Sequence, residues 1–206
     1  MSVTSNQVDI AQLDEKDLPA CFQVLSQSFG HDAPFIDIWF PNHDTPSGQV
    51  QGSKRLATWK ASSASTTFLK VSPPPATLEE ADNLEEVWPD KQDREFMSRL
   101  WREYVVPRTQ AVNDSRGKGV YILELLAVHP EHQCRGAGSK LVSWGTDQAM
   151  KLGVKSIVEG TPAGRRVYEK CGFRAEIEEM RFEVGDEFAD RVKPKLVFMT
   201  KDPVQR

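Results

Sequence analysis

One run constrains this chain more than any other: an apolar stretch that breaks into a glycine-bearing loop, which in turn breaks into a helix. Residues 120–128 are rich in β-branched and apolar side chains and predict a strand. The loop HPEHQCRGAG follows. From 139 to 152 the apolar side is carried by Leu141, Val142, Gly145, Ala149 and Leu152 at helical spacing, and Gly153 closes the helix. Residues 155–159 predict a short strand. Thr161 caps a helix that opens at Pro162 and ends at Cys171-Gly172. Residues 173–184 and 195–200 predict two closing strands. This alternation implies an α/β fold, a mixed sheet flanked by helices on both faces with at least one parallel crossover.

The loop is where chemistry concentrates. Gln133, Cys134, Arg135, Gly136, Ala137, Gly138 and Ser139 lead into a helix whose first N–H groups have no intrahelical partners. The helix dipole adds partial positive charge there, and glycine lets a ligand approach the backbone. Such a helix start suits a pyrophosphate, with Arg135, Lys140, Arg165 and Arg166 as counter-charges. Lys-Ser/Thr does not follow the last glycine, so this is not a nucleoside-triphosphatase phosphate loop. The third glycine of the dinucleotide fingerprint is also out of place.

The first half is less regular. Leu18, Cys21, Phe22, Leu25 and Phe29 predict a helix capped by Asp17 and closed by Gly30. An aromatic connection, FIDIWFPNHDTPSG, precedes a second predicted helix at about 47–62. TTFLKV, at 66–71, predicts a strand that the proline triplet at 73–75 ends. Residues 73–95 carry eight acids against two bases and read as an exposed acidic loop. From Gln92 a helix begins, with stripes Phe96, Leu100, Tyr104 and Met97, Trp101, Val105, and Pro107 is expected to kink or end it.

Two segments together resemble the GNAT superfamily of N-acetyltransferases. LLAVHPEHQCRGAGSKLV resembles its motif A through Gln133, Gly136 and Gly138. GTPAGRRVYEKCGF resembles its motif B through Tyr168, Glu169, Lys170, Gly172 and Phe173. The resemblance covers about 120–173, and FPNHDTPSG with the tryptophan–proline acidic segment is similar to fungal small-molecule-type members. It implies one GNAT-type domain over 1–206, with acetyl-CoA as co-substrate and a small-molecule amine as acceptor. Leu126, Ala127 and Val128 would bond the pantetheine arm through their backbone, and residues 133–139 would hold the pyrophosphate. Tyr168 would protonate the departing thiolate and also contact the cofactor. The strand pair that usually precedes the family's central helix is one strand short here. An acyl-CoA-binding or catalytically impaired module is therefore the alternative.

Glu124 stands in an otherwise apolar strand, where a carboxylate is costly unless paired or facing a cleft. That makes it a candidate base for the amine's proton, with His129 as a second candidate. His129 and His132 have no carboxylate or cysteine set around them, so no metal is expected there. Lys plus Arg is 26 and Asp plus Glu is 30, for a net charge of −4, so no nucleic-acid partner is expected. Three cysteines make no disulfide framework. The chain shows neither a secretory h-region nor an apolar run of spanning length, so a cytoplasmic protein with no membrane partner is expected. The oligomeric state stays open, a dimer included.

Overall fold

The structure, a computed structural model, describes residues 13–31, 33–61 and 84–203. Helices α1 (Leu18–Phe29), α2 (Pro34–Trp39), α3 (Pro46–Ala61), α4 (Leu84–Val87) and α5 (Lys91–Asp114) come first. Then follow β1 (Val120–Leu123), α6 (Ala137–Leu152), β2 (Lys155–Gly160), α7 (Pro162–Lys170), β3 (Arg174–Ile177) and β4 (Val197–Lys201). The strands form one mixed sheet in the order β1-β2-β4-β3. β1 and β2 are parallel, as a crossover through α6 requires, and β4 runs antiparallel to both β2 and β3. The expected α/β class, with helices flanking a mixed sheet, is what the chain adopts.

Alternation along the strands explains the layers. Ile122, Ile157 and Phe198 point into a large core with Phe22 and Leu25 of α1, Ile36 and Trp39 of α2, and Phe96, Leu100 and Tyr104 of α5. Their neighbours Val158, Val197 and Met199 point the other way, against Val142 of α6 and Tyr168 of α7. α1 and α3 cross closely because α3 carries a glycine where they meet: a Cβ on Gly52 would lie 1.9 Å from the Phe22 ring. No described helix is long and apolar enough to cross a membrane.

Several boundaries differ from expectation, each for a physical reason. The strand expected over 120–128 leaves the ladder after Leu123, and 124–129 has no regular structure. The strand expected over 173–184 stops at Ile177, after a register shift against β4 between Ala175 and Ile177. α5 runs through Pro107 to Asp114 instead of ending there. One missing N–H is tolerated because the helix is anchored on both sides, by Tyr104 and by Arg108, both buried. The acidic segment is not exposed throughout: Val87 and Trp88 are core residues, and the Trp88 indole donates to the Ile38 carbonyl at 3.2 Å. Asp90 then caps α5, accepting from the Gln92 and Asp93 amides. The expected strand at 66–71 and the proline triplet at 73–75 lie outside the described residues.

Candidate active site

The site begins where β1 and β2 part. Their pairing ends at Leu123 opposite Val158, while β2 continues to Gly160 against β4 alone. The next residue on each strand is an acid, Glu124 and Glu159. Arg108, 2% exposed, joins them. Its Nε and Nη2 donate to Glu159 at 2.9 and 2.6 Å, and its Nη1 donates to the Glu124 carboxylate at 3.2 and 3.3 Å. Nη2 also donates to the Tyr104 hydroxyl at 2.8 Å. Burial works against the guanidinium's charge. The carboxylates of Glu124 and Glu159 outweigh it and hold the Arg108 pKa well above its ordinary value. The same burial pushes the Tyr104 phenol well up.

The two acids are not equivalent. The Glu159 side chain is 1% exposed, whereas that of Glu124 is 48% exposed. One arginine against two carboxylates leaves a net negative charge at the fork. Glu124 is the half that meets solvent, as a paired and partly exposed residue.

Past the fork, residues 124–129 run beside no sheet partner. Leu126 packs into the small apolar cluster that holds Tyr168, while Leu125 and Ala127 pack on the opposite, larger core. Val128 is fixed through its carbonyl, which accepts from Ser28 Oγ of α1 at 2.9 Å and from Gln133 Nε2 at 3.0 Å. Gln133 thus folds the loop back on the segment that precedes it.

The loop itself is exposed from Gln133 to Gly136. Gly136 takes φ 86°, a left-handed turn that starts α6 at Ala137. The first α6 hydrogen bond to leave the loop runs from the Lys140 amide to the Gly136 carbonyl at 3.0 Å. The amides of Ala137, Gly138 and Ser139 therefore face outward as free donors at the positive end of a 16-residue helix. Cys134 also has a positive φ, 58°. A Cβ on Gly138 would meet Val167, Val128 and Leu126 at 3.7 to 3.9 Å, so α7, the 124–129 segment and the loop converge there. Of the four expected counter-charges, Arg165 is already held by Glu169 and Glu178. Arg135, Lys140 and Arg166 are exposed.

Tyr168 closes the far side. Its ring lies over Gly160, where a Cβ would come within 2.7 Å of Cε2, and stands edge-on to Phe173 at 6.0 Å. Burial pushes its phenol up to about 12, so it stays protonated at neutral pH. Tyr168 and Glu124 flank the fork from opposite faces of the sheet. The rings of His129 and His132 lie 5.5 Å apart, tilted at 46° to each other, and neither is among the partners of Arg108.

Residues 78–173 match the family model described as the acetyltransferase (GNAT) family. The match supports the GNAT superfamily over a little under half of the chain. No curated protein matches the chain. The matched segment takes in α5 as well as both motifs, so Arg108 lies inside it along with Glu124, Glu159, the loop and Tyr168.

Arg108 and Glu159 are the residues that sequence reasoning missed. They are 51 positions apart and carry no local motif. One signal was available: Phe96, Leu100 and Tyr104 recur every four residues, and the next position in that buried stripe is 108. A charge there needs a buried partner, and the expectation that Pro107 ends the helix hid it.

Proposed function

We propose that the protein transfers acetyl from acetyl-CoA directly to the amine of a small molecule. The observation that carries this reading is a segment without a sheet partner beside an open helix start. The 124–129 segment has left its sheet, and next to it α6 opens on Gly136 with three outward amides. A pantetheine chain needs the first and a pyrophosphate the second. The GNAT match over 78–173 supports the same assignment.

In this reading Leu126, Ala127 and Val128 align the pantetheine arm, and residues 133–139 with Arg135 hold the diphosphate. An amide near Ala127 or Val128 stabilises the oxyanion as the amine nitrogen bonds to the thioester carbon. Glu124, directly or through a water, takes the proton that the nitrogen sheds. Tyr168 supplies the proton that the sulfur takes up as the C–S bond breaks, and proton exchange with solvent then reprotonates Tyr168 and deprotonates Glu124, which closes the balance. The net negative fork attracts an amine in its cationic form, which gives one proton to solvent before the neutral nitrogen attacks.

Acetyl-CoA titration followed by turnover with a panel of small amines tests this. Release of CoA with at least one amine is the expected result. Tight acetyl-CoA binding with no release from any amine would make the protein an acyl-CoA-binding module instead.

A further inference from the structure

At the C-terminal end of α1, among residues that the fork does not use, two imidazoles and a carboxylate converge. One ligand atom each from His31, Asp37 and His43 lie within 4.8 Å of one another. We propose that these three residues form a binding site for a divalent transition-metal ion of the zinc type.

The state of His43 carries the inference. Its side chain is 1% exposed. Ser26 Oγ lies 2.7 Å from Nδ1 and donates its own hydrogen to the His43 carbonyl at 3.2 Å. In the tautomer in which Oγ gives its hydrogen to that carbonyl and accepts from Nδ1–H, Nε2 carries a free lone pair. Nε2 has no hydrogen-bond partner. It nevertheless faces Asp37 Oδ1 at 3.3 Å. A buried nitrogen lone pair aimed at a carboxylate oxygen is satisfied by a cation lying between them. Two ligand atoms each ~2.0–2.1 Å from a tetrahedral zinc ion are separated by ~3.3 Å, so the spacing already suits the ion.

The surroundings hold the set in place. His31 Nδ1 is 2.7 Å from the same Asp37 oxygen, and its Nε2 is 3.4 Å from Asp44 Oδ2. A carboxylate behind a ligating imidazole orients the ring and strengthens it as a ligand. The His43 carbonyl also accepts from Gln49 Nε2 at 2.6 Å. The turn before α3 packs closely on that helix, the Asn42 carbonyl lying where a Cβ on Gly48 would collide. Two nitrogens and one oxygen are borderline ligands, which select zinc-type ions over calcium or magnesium. His31 and Asp37 are exposed, so the ion has a way in.

The test is binding of Zn2+ alone, and of Co2+ as a spectroscopic probe, to the full chain freed of metal with a chelator. One ion per chain is expected, with the intense visible absorption of low-coordinate cobalt and a rise in thermal midpoint on adding zinc. His31→Ala and Asp37→Asn, both exposed positions, should stay folded and lose tenfold or more in affinity. His129→Ala should bind as wild type does. Wild-type protein that takes up neither ion overturns the site. So does binding that survives both His31→Ala and Asp37→Asn, or that is lost in His129→Ala.

Discussion

Arg108 grips both oxygens of the Glu159 carboxylate, and the two side chains are the least solvated ion pair among the described residues. Removing one partner would leave the other charged and buried. Arg108→Met should therefore cost about 3–5 kcal/mol in urea unfolding. Arg108→Met with Glu159→Gln should recover part of that loss. A single-variant loss below about 1 kcal/mol would show that Glu159 finds another partner.

Glu124 is the exposed arm of the same guanidinium. If it accepts the amine's proton, Glu124→Gln should flatten the rise of rate with pH. Affinity for acetyl-CoA should stay unchanged, because the loop lies elsewhere. An unaltered pH–rate profile removes Glu124 as the base and leaves it as a structural partner of Arg108.

Tyr168→Phe keeps the ring over Gly160 and loses only the hydroxyl. Turnover should fall on the order of a hundredfold while the acetyl-CoA Kd changes little. The phenol has a second consequence. All three tyrosines, Tyr104, Tyr121 and Tyr168, have pKa values raised chiefly by burial, Tyr168 to about 12. Each holds its proton more tightly folded than unfolded. Their contribution to stability is thus intact below about pH 10 and is lost as pH climbs through the folded values. Ultraviolet titration should show less tyrosinate at about pH 10 in native protein than in the unfolded chain. A tyrosine ionising at its ordinary value in folded protein would contradict the burial.

Gly136 has open space around the position of a Cβ but a φ of 86°. Gly136→Ala should cost about 1–2 kcal/mol of backbone strain and weaken acetyl-CoA binding, since the strain falls where the amides must be aimed. Gly160→Ala should act differently, pushing the Tyr168 ring away and lowering turnover first. Calorimetry and steady-state kinetics on the pair separate the two effects.

The second half was legible in the sequence because its punctuation is local. Thr161-Pro162 opens α7 and Gly153 closes α6, and both signals act within one turn. The turn from Gln133 to Gly136 was legible for the same reason, although α6 opens at Ala137, two residues before the expected start. What escaped depends on tertiary partners. Nothing local says that the strand leaves its ladder at Glu124, because that follows from Arg108 arriving from α5. Nothing in two His-Asp dipeptides twelve residues apart says that α2 will set Asp37 between their imidazoles. Pro107 read as a terminator because a helix interior penalises it, and packing on both sides of it outweighed that penalty.

The hydrogen bond from Ser28 to the Val128 carbonyl spans 100 residues of chain. A contact of that reach cannot form by local zippering; it must wait for a large loop to close. Refolding should therefore recover helical signal before it recovers the ability to bind acetyl-CoA. During synthesis α1 must wait, already made, for the segment that it will hold.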